Sequence, residues 1–383
     1  MLTNSYNSYN SYNSYNSYNS YGTSNSYGSP QGADDTTLAA ALLAARDGIV
    51  DGAIPAPSAP TAQTLPPAAK LRRIEPYFAL SVLMFEALEA LAICPGIDEG
   101  TDGSTEGGTE GGTPFASLAA RQHDGKAETL LRMDRPSDAD FASELALIDG
   151  YGDLRGERLP EIMVQRGSLV PFYAAILHMN PLHAPATALV LDLTQELATA
   201  VVQRVKLVFS VPRPHMLDDR LQPVIASPAH GAYPSGHATQ AFALATVLDT
   251  LCRDGTAGTP AVIDADSQIY RMAARIAVNR TVAGVHFPVD SAVGALLGIT
   301  LGRWMTARAG LAGSLCPALH FKGGRWGESA QGHSRDFHLQ RLVEVMSGDD
   351  VCLPGLGGVV VAEAPMLASL WAEAHQEWGR RWS

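Results

Sequence analysis

Long, largely apolar segments punctuated by proline dominate the middle of this chain and leave it few folds to adopt. Residues 186–209, 238–251, 268–278 and 288–306 each read as helix. Pro185 stands at the favoured first-turn position of the first segment, and Pro288 restarts the chain as the last. Strand-like alternation is scarce, and residues 357–362 carry what there is. The pattern predicts an all-α fold, a helical bundle built around several buried helices. With 383 residues the chain is long enough to bury a sizeable core.

The flanks read differently. Residues 4–21 repeat Asn-Ser-Tyr, with Gly, Ser and Asn continuing to about Pro30. Without aliphatic side chains to bury, residues 1–33 are expected to be a disordered tail, solvated and outside any catalysis. Residues 34–114 read as N-terminal helices joined by flexible linkers. One helix covers 36–47 behind Asp34 and Asp35, which suit an N-cap, and an amphipathic one covers 77–93. Residues 51–69 are Pro/Ala-rich, and 96–114 form an acidic Gly/Thr loop with two near-copies of Thr-Glu-Gly-Gly. From Phe115 onward the pattern is helical, so 115–383 is expected to be the catalytic domain.

Lys plus Arg number 27 against 39 Asp plus Glu, a formal charge of −12. So acidic a body lacks the positive field that nucleic acids require, and any anion site must be a local basic pocket. Cys94, Cys252, Cys316 and Cys352 make no Cys-x-x-Cys pair and no zinc-like spacing, which fits a reducing compartment. The N-terminus has no basic start followed by an apolar run. Glu86 and Glu89 interrupt the apolar stretch 78–94, and 292–301 is too short to span a bilayer. The expectation is a soluble, cytoplasmic chain with no membrane span.

Three separated segments share one chemical theme. The first runs from Lys206 to Arg213 and Pro214. The second is Tyr233-Pro234-Ser235-Gly236-His237. The third runs from Asn279 and Arg280 to His286 and Asp290. Lys206 and Arg213 lie where a helix stops, so both cations can point into a cavity at its end. Ser235 and Gly236 open the next helix, whose first amides and positive dipole end favour an anion. Glycine lets that anion approach the backbone. Arg280 adds a guanidinium fork suited to bidentate oxyanion contact. His286 and Asp290 are four residues apart, so one turn brings the carboxylate to the imidazole, fixing its tautomer. Singly, each residue has an ordinary structural explanation; their order and local spacings together do not. They predict a pocket for an oxyanion.

The three segments resemble the superfamily that joins type 2 phosphatidic acid phosphatases, bacterial class A acid phosphatases and vanadium-dependent haloperoxidases. The likeness covers roughly residues 160–305 and departs at Asn279, where the pattern usually has Ser. It implies a helical bundle of the acid phosphatase and haloperoxidase type. In that arrangement Lys206, Arg213, Ser235, Gly236 and Arg280 bind the oxyanion. His286 is either a phosphate-attacking nucleophile or the axial ligand of vanadium, oriented by Asp290, and His237 is the acid/base. The wording of 233–239 and of 283–286 resembles the haloperoxidases. His230, seven residues before His237, occupies a position that is His in algal bromoperoxidases and Phe in the fungal chloroperoxidase. The Trp that the fungal enzyme carries three residues before its Lys is here Gln203.

The resemblance therefore implies a vanadium-dependent haloperoxidase. Its cofactor would be vanadate and its partners hydrogen peroxide, a halide (bromide favoured) and a small organic substrate. Members often pair, which implies a homodimer, with 291–305 as one surface for it. A soluble phosphatase or a prenyl or lipid diphosphatase working through a phosphohistidine is the alternative. A non-catalytic protein that self-assembles through the Tyr-rich tail is a reading of another class. His333 and His338 echo the third motif without its spacing and are read as structural. His178 and His183 are expected to be packed or hydrogen-bonded, and His215 to shape the mouth of the site.

Overall fold

The structure is a computed structural model. It describes residues 35–46, 65–98, 112–122, 124–252, 262–310, 315–327, 335–348 and 351–379. The chain divides into two units, Met1–Leu65 and Pro66–Ser383. In the first, the described part is helix α1 (Asp35–Arg46), with Leu42 and Leu43 exposed. The expected disordered tail and most of the two expected linkers lie outside the described residues.

The second unit opens with α2 (Pro67–Leu71) and α3 (Pro76–Leu88), followed by strands β1 (Leu91–Asp98), β2 (Thr113–Arg121) and β3 (Ala127–Asp134). Short helices α4 (Asp138–Ser143), α5 (Leu145–Gly150), α6 (Arg155–Val164) and α7 (Val170–Leu177) lead into the bundle. The bundle is α8 (Pro185–Phe209), α9 (Gly236–Cys252), α10 (Gln268–Val282) and α11 (Pro288–Ala309). Strand β4 (Leu315–Phe321), α12 (Leu339–Met346), β5 (Cys352–Val360) and α13 (Pro365–Gly379) complete it.

The helical core is as expected, but the expectation of an all-α chain needs correcting. The five strands form one mixed sheet in sequential order, antiparallel except where β3 runs parallel to β4. The helix expected over 77–93 stops at Leu88, and 115–121 and 127–134 are strand rather than helix. The physical reason is visible in β2. Residues 116–120 are buried on both faces, so no polar/apolar alternation remains, and their Ala and Leu content imitates a helix. The 96–114 segment is likewise bounded by paired strands, since Asp98 faces Thr113.

Remote carboxylates cap helices that lack local caps. Glu377 accepts from the Ala186 and Thr187 amides at the start of α8, each at 2.8 Å. Glu86 does the same for Met366 and Leu367 in α13, at 3.0 Å. These contacts satisfy first-turn donors that proline-led helices leave open.

At the centre, α9 lies against α11 at a stripe of glycines. A Cβ on Gly294 would stand 2.7 Å from the Ser235 carbonyl oxygen. A Cβ on Gly298 would drive into the Thr239 carbonyl and the Ala243 amide, and one on Gly302 into the Thr246 side chain. Nearly the whole of α11 is buried by the chain itself, so residues 291–305, one surface suggested for pairing, are covered from within. Gly298→Ala should therefore overpack this crossing and cost about 1–3 kcal/mol. Thermal unfolding followed by circular dichroism should show a lowered Tm, and an unchanged Tm would contradict the tight crossing.

Candidate active site

The bundle brings the three sequence segments to one place. α8 ends at Ser210, whose left-handed backbone (φ +46°) and N–H bond to the Lys206 carbonyl turn the chain sharply. Arg213 then folds back beside the helix end. The Ser235 amide donates to the Asp290 carbonyl at 2.8 Å, tying the start of α9 to the start of α11. Arg280, in the last turn of α10, completes the ring of cations.

His286 and Asp290 meet, though not as two residues of one helical turn. His286 precedes the N-cap of α11, and Asp290 reaches back from the first turn. Its Oδ2 accepts from the Phe287 amide and from His286 Nδ1, both at 2.9 Å. Arg213 Nη1 lies 3.0 Å from His286 Nε2 and has only protons to offer, so Nε2 must present its lone pair. His286 is thus held with Nδ1–H toward Asp290 and with the lone pair of Nε2 facing Arg213 Nη1. Similar logic applies to His237. Its Nε2 faces the Gln165 carbonyl at 2.9 Å and must donate, which leaves Nδ1 as its basic atom.

The electrostatics are lopsided. Lys206, Arg213 and Arg280 are each only 1% exposed, and the carboxylate within this ring is Asp290. Burial holds the Lys206 ammonium well below its usual range, with Arg213 adding repulsion. Burial lowers both Arg213 and Arg280 to about 10. It pushes Asp290 up to about 7 against the pull of Lys206 and Arg213. It also depresses His237 and His286, reinforced by Arg280 at the first and by Arg213 at the second, so both rings are neutral near pH 7.

The donor set fits a tetrahedral oxyanion. Lys206 Nζ donates to the Gly231 and Ala232 carbonyls at 2.8 Å, and Arg213 Nη1 to the Val285 carbonyl at 2.7 Å. Arg280 differs: its Nε and Nη1 are buried without a partner among the described residues. Buried guanidinium N–H groups left open are costly unless an acceptor fills the space. Gly236 supports the same fit. A Cβ there would stand 4.0 Å from Lys206 Cε in ordinary contact, so protein packing alone does not demand glycine. An anion approaching the first amides of α9 does.

His230 also reaches the site. Arg213 Nη2 lies 3.1 Å from His230 Nδ1, and Arg213 Nε donates to the His230 carbonyl at 3.1 Å. Burial of the ring and the nearby Lys206 and Arg213 charges lower His230 to about 4. His178 and His183 are exposed rather than packed. His338 caps α12 by accepting from the Arg341 amide at 3.1 Å, and His333 lies outside the described residues. His215 follows Arg213 in a short 3-10 turn.

Sequence reasoning missed the support from α5 and α6. Glu144 is fully buried, accepts from the Val289 amide (3.1 Å) at the start of α11 and from Arg335 Nε (2.9 Å), and burial pushes its carboxyl up to about 8. Gln165, just past α6, accepts from Arg280 Nη2 and Asn279 Nδ2. A signal was present: Arg158, Glu161 and Gln165 are spaced to share one helix face, and all three contact Asn279.

Residues 187–311, spanning α8 to α11, match the PAP2 superfamily. The chain is also 35% identical over 94 residues to a vanadium-dependent bromoperoxidase of Ascophyllum nodosum. That match covers 20% of this chain and 17% of the length of that relative. No described helix is long and apolar enough to cross a membrane.

Two outcomes follow from the charge imbalance. Inorganic phosphate should raise Tm progressively with concentration, because an anion bound only by the folded cage stabilises it; an unshifted Tm would contradict the open cage. In the phosphate-free protein, the His230 ring resonances should titrate well below the ordinary imidazole range. A transition at or above pH 6.5 would contradict its placement beside Arg213.

Proposed function

We propose that this chain is a vanadium-dependent haloperoxidase. The observation that carries the reading is the buried ring of Lys206, Arg213 and Arg280 around a His286 whose tautomer, fixed by Asp290, leaves the lone pair on Nε2 beside Arg213. The likeness to a bromoperoxidase supports the peroxidase branch. In this reading the three cations and the donors of Ser235 and Gly236 hold vanadate, and His286 Nε2 is its protein ligand. Vanadate bound there supplies the Lewis acidity that activates hydrogen peroxide. The protein contributes preorganised positive charge that does not need to reorient during the reaction.

His237 supplies the base. Neutral, with Nδ1 free, it takes a proton from incoming peroxide and returns it to the departing oxygen. Overall, one halide gives two electrons to the peroxide O–O bond. With one proton consumed, a hypohalous acid and water result, and the acid halogenates an organic acceptor. His230, neutral beside Arg213, is the residue proposed to face the halide, with bromide favoured.

A phosphatase or lipid diphosphatase is the second reading, favoured by the same Nε2 lone pair, which would leave Arg213 to attack phosphorus. His237 would then protonate the leaving oxygen, which requires the bound anion to raise its affinity for a proton.

Purified, phosphate-free protein given peroxide, bromide, vanadate and a dye acceptor should brominate the dye. His286→Ala should abolish turnover, and His237→Ala should lower it by about a hundredfold to ten-thousandfold. Undiminished bromination in His286→Ala would end the proposal. Vanadate-inhibited hydrolysis of a phosphate ester, without bromination, would move the protein to the second reading.

A further inference from the structure

Gln165 lies more than a hundred residues before the third motif, yet its side chain contacts both Asn279 and Arg280 of that motif. Its side chain is fully buried. Oε1 accepts from Arg280 Nη2 at 3.0 Å and from Asn279 Nδ2 at 3.1 Å. Its main-chain carbonyl accepts from His237 Nε2 at 2.9 Å. Two donors at Oε1 fix which end of the amide is oxygen, so the other end is the NH2 group. That nitrogen, Gln165 Nε2, is buried and has no partner among the described residues.

An unpaired buried amide is costly, and here it sits one planar group away from the Arg280 fork, whose Nε and Nη1 are also unpaired. Open donors on neighbouring groups, beside the ring that holds His237, share one acceptor most simply if that acceptor is the bound oxyanion. Asn279 makes the arrangement rigid. The residue that departs from the usual Ser of the motif donates its Nδ2 protons to Glu161 (3.0 Å) and to Gln165, clamping the amide between α6 and α10.

We propose that Gln165 is a direct oxyanion-binding residue of this site, its Nε2 N–H donating to the tetrahedral anion beside Arg280. The inference rests on the oxyanion reading of the pocket and extends it to a residue outside the three motifs. A neutral donor at this place adds a directed contact without adding to the charge that the cage must already tolerate.

The test is phosphate binding by calorimetry in a double-mutant cycle, with unfolding followed in each variant. Gln165→Met keeps length and burial but removes the amide. It should weaken phosphate binding on the order of tenfold, the size expected for a hydrogen bond to a charged group. Arg280→Met removes the cation that Gln165 would otherwise merely hold in place. A direct donor predicts a similar tenfold loss when Gln165→Met is added to that background; a prop for Arg280 predicts no further loss. If Arg280→Met does not fold, Arg280→Lys supplies the background, since it also dismantles the fork that Gln165 holds. Loss in both backgrounds supports the inference. Loss in the Arg280 background alone absent, or binding within twofold of wild type in folded Gln165→Met, overturns it. Absence of phosphate binding by the wild-type protein would instead overturn the oxyanion reading, and this inference with it.

Discussion

Everything at the site depends on how closely α9 and α11 approach. Helices separated by ordinary side chains could not bring the Ser235 amide to the Asp290 carbonyl at 2.8 Å. Gly294, Gly298 and Gly302 remove those side chains on one face of α11, and the backbone and small side chains of α9 fill the space. The start of α9 carries Ser235, Gly236 and His237, and the start of α11 carries Asp290 with His286 just ahead of it. A single crossing therefore sets the distance between the first amides of α9, proposed to bind the anion, and the histidine. The remaining cations are brought in by termini as well: Lys206 by the end of α8 and Arg280 by the end of α10.

The arrangement is poor for stability and suited to binding. Burying three cations beside one carboxylate costs several kcal/mol per ion unless other groups compensate. Backbone carbonyls of Gly231, Ala232, His230 and Val285 compensate Lys206 and Arg213. Arg280 is left with Nε and Nη1 unpartnered among the described residues. The positive charge is thus held by groups that cannot relax toward each other, which is the condition under which an anion is bound strongly and its reaction assisted electrostatically. Glu144, a buried acid outside the ring, is paired with Arg335 and with the start of α11.

The motif residues were legible because they occur at helix ends, where local spacing and prolines fix their directions. Lys206, Arg213, Ser235, Gly236, Arg280, His286 and Asp290 needed only the bundle to bring the ends together. Two kinds of feature were not legible. The sheet was hidden because β2 is buried on both faces and built from Ala, Leu and Ser, so the period that marks a strand is absent. Gln165 and Glu144 were hidden because each is a common residue type far from the motifs, and its role comes from tertiary contacts alone. The relation between His286 and Asp290 was legible as a pair and misread in form, since capping geometry rather than a helical turn joins them.

The central claim is that one tetrahedral oxyanion sits inside the cation ring against His286. A crystal structure of the phosphate-free protein soaked with vanadate tests it most directly. The account predicts vanadium density bonded to His286 Nε2, with oxygens facing Lys206, Arg213, Arg280 and the Gly236 amide. A structure with vanadate bound elsewhere, or with the ring closed by protein groups, would contradict it.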